Sequence, residues 1–129
     1  SVATPFEHRS FGEELALCQR YYYRVQSSAE ANIATGNAWD ARSSDYSIRL
    51  PTTMRAAYTL GVSALTDILY KYGARSERSD GQYFQLTNST ALDIASINHQ
   101  ILTNSTTVGF ATHLALKDAN SYFDFDAEL

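Results

Sequence analysis

Trp39 is the single tryptophan of the chain, and it stands beside Asp40 and Arg42 in a stretch rich in turn residues. Those three residue types at that spacing suit a sugar. An indole offers a flat apolar face to the C–H side of a pyranose ring. A carboxylate and a guanidinium make strong, charge-assisted hydrogen bonds to adjacent hydroxyls. Binding residues gather on loops that a rigid scaffold positions, so Trp39, Asp40 and Arg42 are the candidate ligand-binding residues. The competing reading places Trp39 half-buried in the core, the common fate of a lone tryptophan.

The remaining chemistry-bearing groups point less far. Asp124 and Asp126 alternate with Phe123 and Phe125, which puts both carboxylates on one strand face roughly 7 Å apart. That spacing could serve a glycosidase pair or a Ca²⁺ ion, but a solvated outer face is the simpler account. Cys18 is the only cysteine, which rules out an intramolecular disulfide. Its place in an amphipathic helix, with nothing to lower its pKa, reads as a small buried hydrophobe and not a nucleophile. His8, His99 and His113 lie far apart without ligand spacing, so no metal and no cofactor are expected. Gly61-Val62-Ser63-Ala64-Leu65 begins like a nucleophile elbow but lacks the second glycine that the sharp turn demands. The chain therefore reads as a binder and not as an enzyme.

Charge narrows the partners. The net charge of -4 offers no basic footprint for nucleic acid or anionic lipid. Residues 1–64 carry six basic and six acidic groups, whereas residues 65–129 carry four and eight, so the whole deficit lies in the second half. Residues 1–15 lack both a basic n-region and an apolar h-region, so no secretory signal is expected. The longest uncharged run, residues 94–116, is broken by Asn98, His99, Gln100, Asn104 and several threonines, which argues against membrane insertion. A start at Ser1 without Met reads as a fragment or a processed product.

Elements must position these groups, and 129 residues suffice for one domain spanning 1–129 with one real core. Ser and Thr together number 26 and Lys only 2, a composition that suits strands and turns. Ser10-Phe11-Gly12-Glu13 is a capping box. Phe11, Leu15, Cys18 and Tyr22 then recur at helical spacing, which predicts a helix over about 11–20 with Cys18 on its buried side. Elsewhere the pattern alternates: Tyr21/Tyr23/Val25, Tyr46/Ile48/Leu50, Tyr58/Leu60/Val62, Ile68/Tyr70/Tyr72, Phe84/Leu86, residues 92–97, Val108/Phe110 and Phe123/Phe125/Ala127. Gly36-Asn37, residues 42–45, residues 75–81 and residues 88–90 read as breaks, with Ser79-Asp80-Gly81 as the best hairpin tip. Short strands at such spacing predict a mostly-β, antiparallel, jelly-roll-like β-sandwich with one short N-terminal helix.

The opening stretch, Ala3-Thr4-Pro5-Phe6-Glu7 followed by Glu14-Leu15-Ala16-Leu17-Cys18-Gln19-Arg20-Tyr21-Tyr22, resembles a segment of bacteriophage tail-fibre and related appendage proteins. Leu50-Pro51-Thr52-Thr53-Met54-Arg55 and the ending Asp126-Ala127-Glu128-Leu129 resemble later parts of the same module. The resemblance implies a distal, C-terminal fibre domain in the virion that follows upstream fibre domains. It also implies a homotrimer that touches a cell-surface glycan of a bacterial host. With only Lys71 and Lys117 to blunt strand edges, burial of Tyr-rich surface between subunits fits that picture. The alternative is a structural trimerisation or folding cap without a ligand. A hydrolase of surface polysaccharide would need two facing acids in a groove. The resemblance transfers no ligand or catalytic residues by position.

Overall fold

Alternating apolar and polar positions build ten strands among the described residues, and the capped segment builds a helix. The computed structural model describes residues 10–73, 76–88 and 90–128. Residues 3–9 of the opening stretch, His8 among them, lie outside the described residues, as do Arg75, Ser89 and Leu129. The helix α1 (Phe11–Gln19) precedes β1 (Tyr22–Val25), β2 (Asn32–Ala38), β3 (Ser43–Arg49), β4 (Thr59–Val62) and β5 (Ile68–Tyr72). Then follow β6 (Ser76–Arg78), β7 (Gly81–Asn88), β8 (Ile94–Ile101), β9 (Ala111–Leu116) and β10 (Phe123–Asp126).

Two antiparallel sheets result. One has the order β6-β5-β9-β2-β3-β8-β7 and the other β1-β10-β4. The large sheet curls strongly. Its edge strands β6 and β7 are joined by only Ser79 and Asp80, so the two edges meet within about 10 Å. The small sheet lies over the opening and completes a sandwich-like core, so the mostly-β class with one short helix is met.

Register explains the core. Opposite residues of an antiparallel pair share a face, and Ser44, Tyr46 and Ile48 of β3 oppose His99, Ile97 and Ala95 of β8. That face is buried together with Leu114 and Leu116 of β9 and Ile68 and Tyr70 of β5. From the small sheet, Phe123 and Phe125 turn inward, edge-to-face with each other at 5.8 Å. Phe84 meets Phe123 at 5.2 Å and ties the two sheets together. Fully burying one such ring contributes about 2–3 kcal/mol.

Several expectations change. The capping box forms, with Ser10 Oγ accepting the Glu13 N–H at 3.2 Å and Glu13 Oε2 accepting the Ser10 N–H at 3.3 Å. Yet α1 buries none of its residues: Phe11 is 81% exposed and Cys18 is exposed. With none of its residues buried, the apolar spacing of the helix covers no core, and Tyr22 already belongs to β1. Gly36-Asn37 is not a break but part of β2. The Ser79-Asp80-Gly81 segment turns the chain without making a hairpin, because β6 pairs with β5 and β7 with β8. Val108 and Phe110 lie in a turn ahead of β9 and not in a strand. Residues 42–45 mostly belong to β3.

Candidate functional site

Trp39, Asp40 and Arg42 lie in the tight connection between β2 and β3, and main-chain hydrogen bonds hold it closed. The Trp39 N–H donates to Ser43 O at 3.1 Å. Asp40 Oδ1 accepts the Arg42 N–H at 2.7 Å, the two-residue return by which aspartate stabilises turns. Arg42 O accepts the Ile101 N–H at 2.9 Å, and Ala41 O accepts from Ser105 and Thr106 at 2.8 and 3.1 Å. The connection is thus laced to the β8–β9 loop beside it.

That second loop ends in a turn. Phe110 N–H donates to Thr107 O at 3.1 Å, and Gly109 adopts φ 90° at the third position of the turn, the conformation a type II turn reserves for glycine. Two further bonds, Ala38 N–H to Phe110 O at 2.9 Å and Gly109 N–H to Ala38 O at 2.8 Å, tie this turn to the end of β2. Two neighbouring loops therefore carry Trp39 (50% exposed), Phe110 (57% exposed), Val108 and Leu102, all solvent-facing. These exposed apolar residues on a pinned backbone are called the ledge below.

Beneath the ledge runs a buried chain of hydroxyls. Thr112 Oγ1 donates to Ser44 Oγ at 2.8 Å, and Ser44 Oγ donates to Tyr70 OH at 2.9 Å. Each hydroxyl has one proton to give. Thr106 spends its proton on Asp40 O at 3.3 Å, so in its 3.2 Å contact with Tyr70 OH the tyrosine is the donor. All four bonds point one way, from the core of β9 up to the main chain of the Trp39 loop. Such aligned chains polarise and reinforce one another.

Two buried groups border this chain. Tyr46 OH lies beside the Thr112 and Ser44 hydroxyls, and burial pushes its pKa up to about 12. The His99 ring is fully buried, with neither nitrogen hydrogen-bonded. Phe84 and Tyr70 meet it edge-on at 5.5 and 5.6 Å. Desolvation lowers its pKa to about 4, against a smaller opposing pull from Asp80. His99 is thus a neutral core imidazole.

The other sequence candidates fall elsewhere. Asp124 and Asp126 do share the outward face of β10, where Asp124 Oδ2 accepts from Tyr22 OH at 2.8 Å and pairs with Arg24 at 3.6 Å. Arg24 also lies over the Tyr122 ring at 3.7 Å, and Asp126 Oδ1 accepts the Glu128 N–H. Ser63 Oγ donates to Asp67 at 2.7 Å and accepts the Tyr122 N–H, which makes it a loop brace. His113 Nδ1 lies 3.1 Å from Thr35 Oγ1. Among the described residues no group of three or more His, Cys, Asp or Glu could hold a metal ion, and no helix is long and apolar enough to cross a membrane.

Sequence reasoning reached Trp39, Asp40 and Arg42 but missed Phe110, Val108 and the hydroxyl chain. Alternation placed Val108 and Phe110 in a strand, and the overlooked signal was Gly109 between them. No family model, no curated protein and no solved structure matches this chain.

Proposed function

We propose that this chain is a glycan-binding module, the distal domain of a bacteriophage tail fibre or appendage, which engages a cell-surface glycan of its bacterial host. One observation carries the reading. Trp39 is half-exposed on a loop whose main chain is fixed by at least four hydrogen bonds, with Phe110 on the adjoining turn. Exposing two aromatic rings costs a protein burial energy, and a pinned backbone spares the ligand the cost of ordering the site. Stacking on such a ledge, with polar groups at its edge, is sugar-binding chemistry. A single shallow site of this kind binds in the millimolar range, roughly -4 kcal/mol. Three copies on a homotrimer would raise avidity by orders of magnitude.

The test is a glycan array, and adsorption to host cells once a host is known, with Trp39→Ala and Phe110→Ala. Both side chains are exposed, so the fold should survive. Each variant should lose array binding. Unchanged binding in both would refute the ledge as the site.

The alternative, a trimerisation or folding cap of a fibre, is favoured by α1. A nine-residue helix is marginal on its own, and this one leaves Phe11, Leu15 and Leu17 in solvent. Sedimentation equilibrium decides on assembly: a 14.3 kDa monomer at micromolar concentration would remove the trimer from both readings.

A further inference from the structure

His99 stands between two fastenings of the loop that joins β8 to β9. Its ring is wholly buried, and among the described residues neither nitrogen has a hydrogen-bond partner. A Cβ placed on Gly81 would lie 3.6 Å from His99 Nε2 and 3.0 Å from Leu65 O. The imidazole thus lies against the bare main chain of Gly81, at the seam where β6 leads into β7.

The first fastening is on that seam. Asp80 accepts the Leu102 N–H on its main-chain oxygen at 3.0 Å and the Thr103 hydroxyl on Oδ2 at 2.9 Å. The second is Tyr70, whose ring meets His99 at 5.6 Å and whose hydroxyl bonds to Thr106 at 3.2 Å. A third, from the Ser105 and Thr106 N–H groups, is made to Ala41 O on the Trp39 loop.

A charge on this ring has one direction of relief. β3 presents Ser44 opposite His99, with Tyr46 next to it on the same face, and β5 and β7 present Tyr70 and Phe84. Burial pushes the Tyr46 hydroxyl up to about 12, and Tyr70 has its proton in the bond to Thr106. Asp80 is held down to about 2, chiefly by its hydrogen bonds from Arg78, so of these groups it is the anion. Its charge is felt at His99. An imidazolium has two N–H donors to satisfy, and left unpaired in a dry site they cost free energy. Proton uptake therefore favours an opening that lets the ring reach Asp80 and water.

We infer that the β8–β9 loop is an acid-released flap: a proton taken up by His99 draws the ring from Tyr70 towards Asp80, loosens the fastenings at Leu102, Thr103 and Thr106, and frees the turn that carries Val108 and Phe110. This goes beyond the glycan reading and does not depend on it. Desolvation lowers the pKa of the closed ring to about 4, whereas a ring open to water titrates at about 6.5. Linkage between the two raises the open population about thirtyfold from pH 8 to pH 5.

Amide hydrogen exchange of the full chain at pH 8 and pH 5, corrected for the intrinsic pH dependence of exchange, tests this. Protection at Leu102 and Thr106 should be lower than at Ile97 in the core of β8, because the flap opens while the sheet stays folded. It should also fall by about thirtyfold at pH 5. His99→Leu keeps an apolar side chain in the site without a titrating group, and there the protection should stay level. Level protection at either residue in the wild type overturns the inference. Protection equal to that of Ile97 also overturns it, since the loop would then open only when the whole chain unfolds. A fall that persists in His99→Leu overturns it too, because another group would be responsible. The wild-type comparison needs no variant, so it decides by itself if His99→Leu does not fold.

Discussion

Tyr70 and His99 meet edge-on with ring centroids 5.6 Å apart, although their strands β5 and β8 are separated by three others in the sheet. Only a sheet curled nearly onto itself brings them together. That curl also lets Tyr70 collect Ser44 from β3 and Thr106 from the β8–β9 loop on one hydroxyl. The Trp39 loop and the core are therefore one mechanical unit, joined through Tyr70.

The buried imidazole makes stability depend on pH. His99 has its pKa lowered to about 4 in the folded chain, against an ordinary value near 6.5 when unfolded. As pH falls below 6.5 the unfolded chain takes up a proton that the folded chain refuses. Stability is thus whole above pH 6.5 and is lost as pH falls towards 4, by on the order of 3 kcal/mol. Urea midpoints measured between pH 7 and 4 should show this decline, and His99→Leu should flatten it. A wild-type profile that is level down to pH 4.5 would contradict the burial of His99.

Tyr70→Phe removes the central hydroxyl of the chain and leaves Ser44 without an acceptor in the core. The expected cost is about 1–3 kcal/mol, since an orphaned buried polar group keeps its desolvation penalty. The loss should also reach the ledge, because Thr106 loses its donor. Faster amide exchange at Ser105 and Thr106, relative to wild type, is the specific sign. Slowed or unchanged exchange there would mean that the main-chain bonds to Ala41 hold the loop unaided.

Cys18 should behave as a surface thiol. It is exposed on a helix none of whose residues is buried, so a thiol reagent should label the native protein fully and without denaturant. Cys18→Ser should shift stability by less than about 0.5 kcal/mol. Protection of the thiol at micromolar concentration, lifted on dilution, would show instead that α1 is covered by another copy.

What sequence could and could not say follows from the range of the forces involved. Tyr46/Ile48 and Phe123/Phe125 alternate because each strand has one wet face, and a local pattern reports that directly. The capping box is equally local. Strand partners are not: Asp80-Gly81 has hairpin chemistry, yet β6 and β7 take partners at opposite edges of the sheet. β2 went unread because Gly36-Asn37 mimics a turn, while its true reason lies across the sheet under the Tyr46 ring. For the same reason the spacing of Phe11, Leu15 and Cys18 located a helix but could not say whether anything covers it. Trp39, Asp40 and Arg42 were legible as a cluster because they are contiguous; Phe110 joins them only through hydrogen bonds to Ala38.

Gly36 and Gly109 are glycines for opposite reasons, and alanine should separate them. A Cβ on Gly36 would lie 2.0 Å from the main-chain oxygen of Asp45 and 2.8 Å from the Tyr46 ring. Neither neighbour can yield, since Asp45 O belongs to the paired strand and the ring is fully buried. Gly36→Ala should therefore cost about 3 kcal/mol or more, with β2 and β3 forced apart. Gly109 has open space around the same position but a φ of 90°. There alanine meets strain and no clash, at about 1–2 kcal/mol, confined to the turn. Urea titration should rank the two variants in that order. Circular dichroism of Gly109→Ala should remain native while its Trp39 fluorescence changes, because Gly109 N–H is bonded to Ala38, the residue before the indole. A Gly36→Ala protein as stable as wild type would show that β2 does not lie against β3 as closely as described.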